Sequence, residues 1–206
     1  MSGKIYLYPM WIRLWHALNA ILIILLIISG ISMQYTNPAN PFIRFDIAVS
    51  MHNISGIILT ANYVFFLFGT FLTPNGKYYK LTFKGLTNRL IKQFTYYTFG
   101  IFKHEKPPFP VTKDSKFNPL QQFTYVIAMF TLVPIVIITG WALLYPELIL
   151  TKILGGSGLK INIFFHVIIG FFVSFFMFIH IYFCTIGATF VSNFRSMITG
   201  FHESHN

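Results

Sequence analysis

The chain alternates between long apolar runs and short polar intervals. Four stretches contain no Lys, Arg, Asp or Glu: Leu14 to Ile43, Ile47 to Gly76, Phe117 to Pro146 and Ile161 to Phe194. Each exceeds the ~20 residues that a helix needs to cross about 30 Å of hydrocarbon at ~1.5 Å per residue. The ends of the runs carry interfacial aromatics and helix-stopping residues, among them Trp11, Trp15, Asn37-Pro38, Thr73-Pro74-Asn75-Gly76 and Tyr145-Pro146. The pattern predicts helices over about 14–34, 47–72, 120–145 and 161–190. The expected fold class is all-α integral membrane, a four-transmembrane-helix bundle forming a single domain over residues 1–206.

Composition agrees: 55% of residues are hydrophobic and only 10% charged, too few charges for the surface of a soluble domain of this size. The formal net charge of +10 comes from basic residues segregated between the apolar runs, so a membrane explains it better than nucleic acid, which is not an expected partner. The single cysteine, Cys184, lies inside an apolar run; it has no intrachain partner and belongs to no CxxCH site for covalent haem. The basic start (Lys4, Arg13) precedes an apolar stretch long enough to span and lacking an A-x-A-like cleavage pattern, so it is expected to be retained rather than removed as a signal peptide.

Basic residues also set sidedness. The N-terminal tail, the 77–116 connection and the C-terminal tail hold 12 of the 15 Lys and Arg, against Arg44, Lys152 and Lys160 in the two opposite loops. The positive-inside rule places both termini and the basic 77–116 loop in the cytoplasm. The middle of that loop, Lys84 to Lys103, mixes apolar and basic residues as an interfacial amphipathic helix does.

Within the charge-free runs the only histidines are His16, His52, His166 and His180. Intramembrane ionisable residues are functional candidates by default. His52 and His166 each stand five residues into an inward-running helix, about 7.5 Å deep. His180 follows His166 by fourteen residues, which is roughly 21 Å deeper and about 40° away in helical phase. That is the inner level, where His16 lies near the start of the first helix. Two stacked pairs result, His52 with His166 outside and His16 with His180 inside. A pair of imidazoles fills both axial positions of a haem and leaves a one-electron carrier, whereas zinc or copper requires three or four ligands at one depth. The cofactors expected are therefore two non-covalent b-type haems. The recurring His52-x3-Gly56 and His166-x3-Gly170 fits a flat macrocycle, because glycine removes a side chain one turn from each ligand; helix packing through small residues is the alternative.

These residues resemble the dihaem cytochrome b subunits of formate dehydrogenase-N, nickel-iron hydrogenases and thiosulfate reductases, with the thiosulfate reductase-like branch most similar. The resemblance rests on Arg13-Leu-Trp-His16-Ala-Leu-Asn, His52, Lys116-Phe-Asn118-Pro-Leu-Gln121, the His166/His180 spacing and Met197-Ile-Thr-Gly200. It implies a cytochrome that anchors a larger oxidoreductase in the bacterial cytoplasmic (inner) membrane and passes electrons between that partner and menaquinone. The implied partner is an outer-face redox subunit, an iron–sulfur protein or a multihaem cytochrome c. The family's quinone pocket falls on Asn118, Gln121 and His180. Asn118-Pro119-Leu120-Gln121 also reads as a helix start, with an N-cap, a proline at the first position and a glutamine at N3. Arg13 and Arg44, at the inner and outer levels, are candidates for haem propionates or else plain interfacial anchors. His104, His202 and His205 are expected in solvated segments, with His202 and Glu203 as candidates for proton delivery.

Two other readings stay open: a non-redox membrane protein whose histidines relay protons, and a self-sufficient transmembrane haem reductase. The short outer loops speak against the second, since they leave little room for a substrate pocket.

Overall fold

The computed structural model describes residues 4–37, 39–148, 152–153, 156–187 and 189–203. A short strand, β1 (Lys4–Tyr6), leads into α1 (Met10–Tyr35), and α2 (Phe45–Leu72) follows. The basic connection holds a 3₁₀ turn (Pro74–Tyr79) and α3 (Leu86–Thr95), which continues through a π turn (Tyr96–Gly100) into a 3₁₀ turn (Ile101–Lys103). Next come α4 (Pro119–Ile127), a π turn (Ala128–Leu132) and α5 (Val133–Leu144). A minimal hairpin of β2 (Lys152–Ile153) and β3 (Gly156–Ser157) precedes α6 (Gly158–Cys184), α7 (Ser192–Thr199) and β4 (Phe201–Glu203).

Among the described residues four helices are long and apolar enough to cross a membrane: Met10–Tyr35, Phe45–Leu72, Pro119–Leu144 and Gly158–Cys184. At most 33% of the most apolar window of any span is buried within the chain, and for Gly158–Cys184 only 6%. Such largely uncovered apolar helices suit hydrocarbon, not water. The third span contains the π turn because Pro134 lacks the N–H that would complete the α-helical ladder and its ring crowds the preceding turn. The amphipathic segment expected over 84–103 is helical from Leu86 to Lys103, with Ile91, Phe94, Phe99 and Phe102 exposed.

Two boundaries differ from expectation. The first helix begins at Met10, a turn before 14, because the Pro9 carbonyl accepts from the amides of Ile12 and Arg13. The fourth helix stops at Cys184 instead of near 190. Asn193 reaches back from α7, and its Nδ2 donates to the carbonyls of Cys184 (3.3 Å) and Ile186 (3.0 Å), satisfying groups that a continuing helix would have used. A Cβ at Gly187 would collide there with Ser192 Oγ, so the turn is built around glycine.

The packing resolves into two compact units. The span unit comprises Leu14–Phe68 and Thr131–Ile179. Its core is Leu22, Ile23 and Leu59, with Leu26, Ile27, Val173 and Met177 packed around them. Trp15 stacks on the fully buried Phe66 (centroids 4.5 Å apart), and its carbonyl accepts from Asn62 Nδ2 at 3.4 Å. The second, terminal unit comprises Met1–Arg13, Gly69–Phe130 and His180–Asn206. There β1 pairs antiparallel with β4, and the Gly200 carbonyl accepts from the amides of Leu7 (2.9 Å) and Tyr8 (3.2 Å). Gly200 has φ +88°, and a Cβ would lie 2.8 Å from the Tyr8 carbonyl oxygen, so only glycine closes this turn. The segments before α1 and after α7 are thereby bonded to each other, which agrees with an even number of spans between them.

Candidate functional site

His52 on α2 and His166 on α6 come together in the span unit. Their ring centres are 6.1 Å apart and their planes cross at 74°. Two metal–imidazole bonds of about 2 Å, with roughly 1 Å from each nitrogen to its ring centre, add to about 6 Å. The spacing therefore admits one metal atom between the rings.

Hydroxyls on two other helices fix the tautomers. Ser29 Oγ on α1 lies 2.9 Å from His52 Nδ1, and Thr139 Oγ1 on α5 lies 3.0 Å from His166 Nδ1. Each hydroxyl has one proton. Ser29 donates it to the Leu25 carbonyl (2.6 Å) and Thr139 to the Ile135 carbonyl (2.8 Å). Both oxygens are left to accept from the imidazoles. Each ring therefore carries its proton on Nδ1 and offers Nε2 as a bare lone pair, the form that binds a metal. Asn162 Nδ2, donating to the Thr139 carbonyl at 3.0 Å, ties α6 to this part of α5.

Glycines shape both sides of the pair. A Cβ at Gly140 would lie 3.2 Å from His166 Cε1, and one at Gly30 would lie 3.5 Å from His52 Cε1. These two let the neighbouring helices close onto the imidazoles. At Gly56 and Gly170 a Cβ would meet no atom within 4 Å. The space beside the His-x3-Gly glycines is open, as a cradle for a flat group requires.

His16 is half-buried on α1 in the span unit, its ring beside Trp15 (6.3 Å). His180 belongs to the terminal unit. Its Nδ1 is 3.2 Å from Tyr125 Oη, and its Nε2 is 3.7 Å from Cys184 Sγ one turn on. Among the described residues no group of three or more His, Cys, Asp or Glu is arranged to hold a metal ion. Paired imidazoles with open glycine flanks fit haem, and they fit a chelated ion poorly.

Beside the last turns of α6 stand the residues expected to meet quinone. Asn118 and Gln121 form a reciprocal capping box: Asn118 Oδ1 accepts from the Gln121 amide (2.9 Å), and Gln121 Oε1 accepts from the Asn118 amide (3.2 Å). Asn118 Nδ2 donates to Tyr97 Oη at 2.7 Å, and the Tyr97 ring packs on Phe183. Burial pushes the Tyr97 phenol up, and the Asn118 bond partly offsets it. Both Asn118 side-chain atoms therefore have partners within the chain.

The arginines have protein partners as well. Arg13 donates to the Ile198 carbonyl, and Arg44 forms a two-pronged pair with Asp46 (3.2 and 2.8 Å). His202 Nδ1 is 3.5 Å from Ser196 Oγ, and His104 is exposed at a left-handed turn (φ 55°). His205 lies outside the described residues.

Several site residues are not signalled by the histidine pattern. Ser29, Thr139, Gly30 and Gly140 form two hydroxyl–glycine dipeptides, Ser29-Gly30 and Thr139-Gly140, each facing a histidine of another helix; the dipeptide also occurs as Ser55-Gly56, so its repetition is a weak signal. Lys116 was read as the last basic residue of the loop. It is 2% exposed, and its ammonium lies 4.4 Å from the Tyr8 ring centre, 5.3 Å from Tyr78 and 5.6 Å from Phe117. Its Nζ has no hydrogen-bond partner, and burial pushes its pKa down to about 8.

Residues 7–200 match the family described as prokaryotic cytochrome b561. The chain is also similar to "Putative cytochrome YdhU" of Escherichia coli (strain K12), 37% identical over 200 residues that cover 97% of this chain and 75% of the relative. No solved structure matches. The thiosulfate reductase-like assignment is finer than these matches reach. With four apolar spans and imidazoles presented for axial ligation, the chain belongs to the prokaryotic cytochrome b561 family, membrane proteins that carry b-type haem and transfer electrons.

Proposed function

We infer that this cytochrome is the dihaem membrane anchor of a larger oxidoreductase, exchanging electrons with a redox subunit on the outer face and with menaquinone near the inner face. The observation that carries the reading is the His52–His166 pair: ring centres 6.1 Å apart, with both Nδ1 protons accepted by hydroxyls of other helices. His52 and His166 would hold a haem there from both sides, and it would supply a one-electron couple with no position left for substrate. Ser29 and Thr139 hold the rings and raise their basicity, while Gly56 and Gly170 leave room for the macrocycle edge.

A second haem between His16 and His180 rests on sequence alone, on their shared depth and helical phase. Two haems at two depths make a one-electron path across the membrane, and paired single-electron steps match the two-electron chemistry of a quinone. Cytoplasmic termini and a cytoplasmic 77–116 segment are inferred from the basic residues, supported by the β1–β4 pairing that keeps both ends together. The location is then the bacterial inner membrane. Short outer loops fit docking of an iron–sulfur or multihaem subunit, and the motif resemblance favours a sulfur-compound system as its branch.

The test is haem stoichiometry and quinol reactivity of the purified protein in lipid nanodiscs. The reading requires about two b haems per chain, reduction by menadiol, and co-purification of a redox subunit from native membranes in mild detergent. One haem per chain would remove the His16/His180 site, and a colourless, inserted protein would remove the whole reading.

A further inference from the structure

Lys116 is an ammonium group enclosed by protein, with no ion-pair partner among the described residues. It is 2% exposed, ringed by Tyr8, Tyr78 and Phe117, and its Nζ makes no hydrogen bond. Aromatic faces stabilise a cation, but they do not replace the hydrogen bonds that water gave it. Lys77, by contrast, has Asp114 at 3.2 Å. A buried donor of this kind is costly unless something else makes use of it.

Its neighbours lead toward the end of α6. Phe117, the next residue, meets the Tyr125 ring edge-on at 4.9 Å, and Tyr125 Oη lies 3.2 Å from His180 Nδ1. Asn118 follows, joined to Tyr97 and through it to Phe183. Of the polar side chains gathered here, Asn118 and Gln121 are engaged in the capping box. Among the described residues of this unit Lys116 shares the lack of a partner with Arg13 Nε, Thr70 Oγ1 and Asn75 Nδ2, and of these groups only the ammonium readily releases a proton near neutral pH.

We propose that Lys116 is the cationic, proton-donating group of the quinone site, its ammonium meeting a quinone oxygen as negative charge develops there. The proposal rests on the quinone reading above. In the step, a quinone takes two electrons, delivered singly by the cytochrome, and two protons. Lys116 gives one proton and is left as the neutral amine, which water at the membrane face recharges; solvent supplies the other.

Burial raises the Tyr8 phenol to about 12 and raises Tyr79 as well, and the neighbouring Cys184 thiol adds to the shift of Tyr8. Tyr78 donates its hydroxyl to the Lys113 carbonyl, and Tyr125 stands behind Phe117. The raised Tyr8 and Tyr79 phenols stay neutral through the range near pH 8 in which Lys116 changes charge.

The experiment pre-reduces the protein in nanodiscs, removes the reductant and follows haem reoxidation by menadione from about pH 6 to 9.5. Wild type should react saturably, with a rate that falls as pH rises through about 8. Lys116→Met should slow reoxidation at least about tenfold at neutral pH and abolish that limb, with haem content and reduced spectrum unchanged. Lys116→Arg keeps the cation but cannot release its proton in this range, so it should react faster than Lys116→Met, more slowly than wild type, and without the limb. If wild type does not react with menadione, the quinone reading fails and takes this proposal with it. If wild type reacts and Lys116→Met matches it in rate and profile, the proposal alone fails. Should Lys116→Met lose haem, Lys116→Arg decides: an unchanged limb overturns the assignment, a lost one supports it.

Discussion

His166 Nδ1 lies 3.0 Å from Thr139 Oγ1, and the proton in that bond belongs to the imidazole because Thr139 gives its own to Ile135. A hydrogen bond of this sense makes the ring a stronger donor and favours ferric iron. Thr139→Val should therefore raise the midpoint potential of the outer haem by tens of millivolts, about 60 mV for each tenfold change in relative affinity. Ser29→Ala should do the same from the His52 side. Redox titration followed in the visible spectrum reads both, and a shift downward would contradict the tautomer assignment.

Replacing a ligand should act more severely. His166→Ala or His52→Ala removes one axial position of the outer haem, and haem content should fall from about two per chain to about one in the dihaem reading. The other haem should stay reducible by menadiol. A variant that keeps both haems with an unaltered spectrum would exclude these residues as ligands.

The glycines separate packing from cofactor binding. Gly56→Leu and Gly170→Leu place side chains where a Cβ meets no protein atom, so insertion and helix content should not change. Haem incorporation should drop if the macrocycle lies there. Gly140→Val, set against His166 at 3.2 Å, should instead disturb the fold itself and cost about 1–3 kcal/mol by overpacking. Circular dichroism with haem content distinguishes the two outcomes.

Asn118 has two roles that one pair of variants separates. Asn118→Ala removes the N-cap of α4, a loss of about 1 kcal/mol, whereas Asn118→Ser keeps a capping oxygen and restores most of that stability. Serine lacks the amide donor that now meets Tyr97 at 2.7 Å. If that donor also serves quinone, both variants should lose menadiol reactivity alike. Full activity in Asn118→Ser would leave Asn118 a cap only.

The spans were legible because a charged residue inside hydrocarbon is so unfavourable that four charge-free runs suffice to outline four helices. The approach of His52 to His166 was legible too, since depth follows from a residue count and helix direction from topology. The hydroxyls were not. Ser29 is 23 residues from His52 and Thr139 is 27 from His166, and only the packing of separate helices brings them together. The end of α6 was missed for the same reason: Asn193 supplies its cap from the following helix, while the apolar run continues to Phe194. The closeness of Gly30 to His52 likewise needs two helices, because a one-helix pattern shows spacing but not what lies opposite.

Lys116 gives the terminal unit a pH dependence whose sign can be worked out. Its folded pKa of about 8 lies below the ordinary 10.5, so between these values the unfolded chain holds more protons than the folded one, and stability rises with pH. Below about 8 both states are protonated and the full penalty of enclosing the ammonium remains. That penalty is on the order of 3 kcal/mol, from the shift at ~1.4 kcal/mol per unit for a side chain only 2% exposed. Thermal unfolding of the protein in detergent should therefore move to higher temperature between pH 7 and 9.5. Lys116→Met should be more stable than wild type at pH 7 and should lose this part of the pH dependence. A destabilised Lys116→Met at pH 7 would mean that the aromatic ring contacts outweigh the desolvation they accompany.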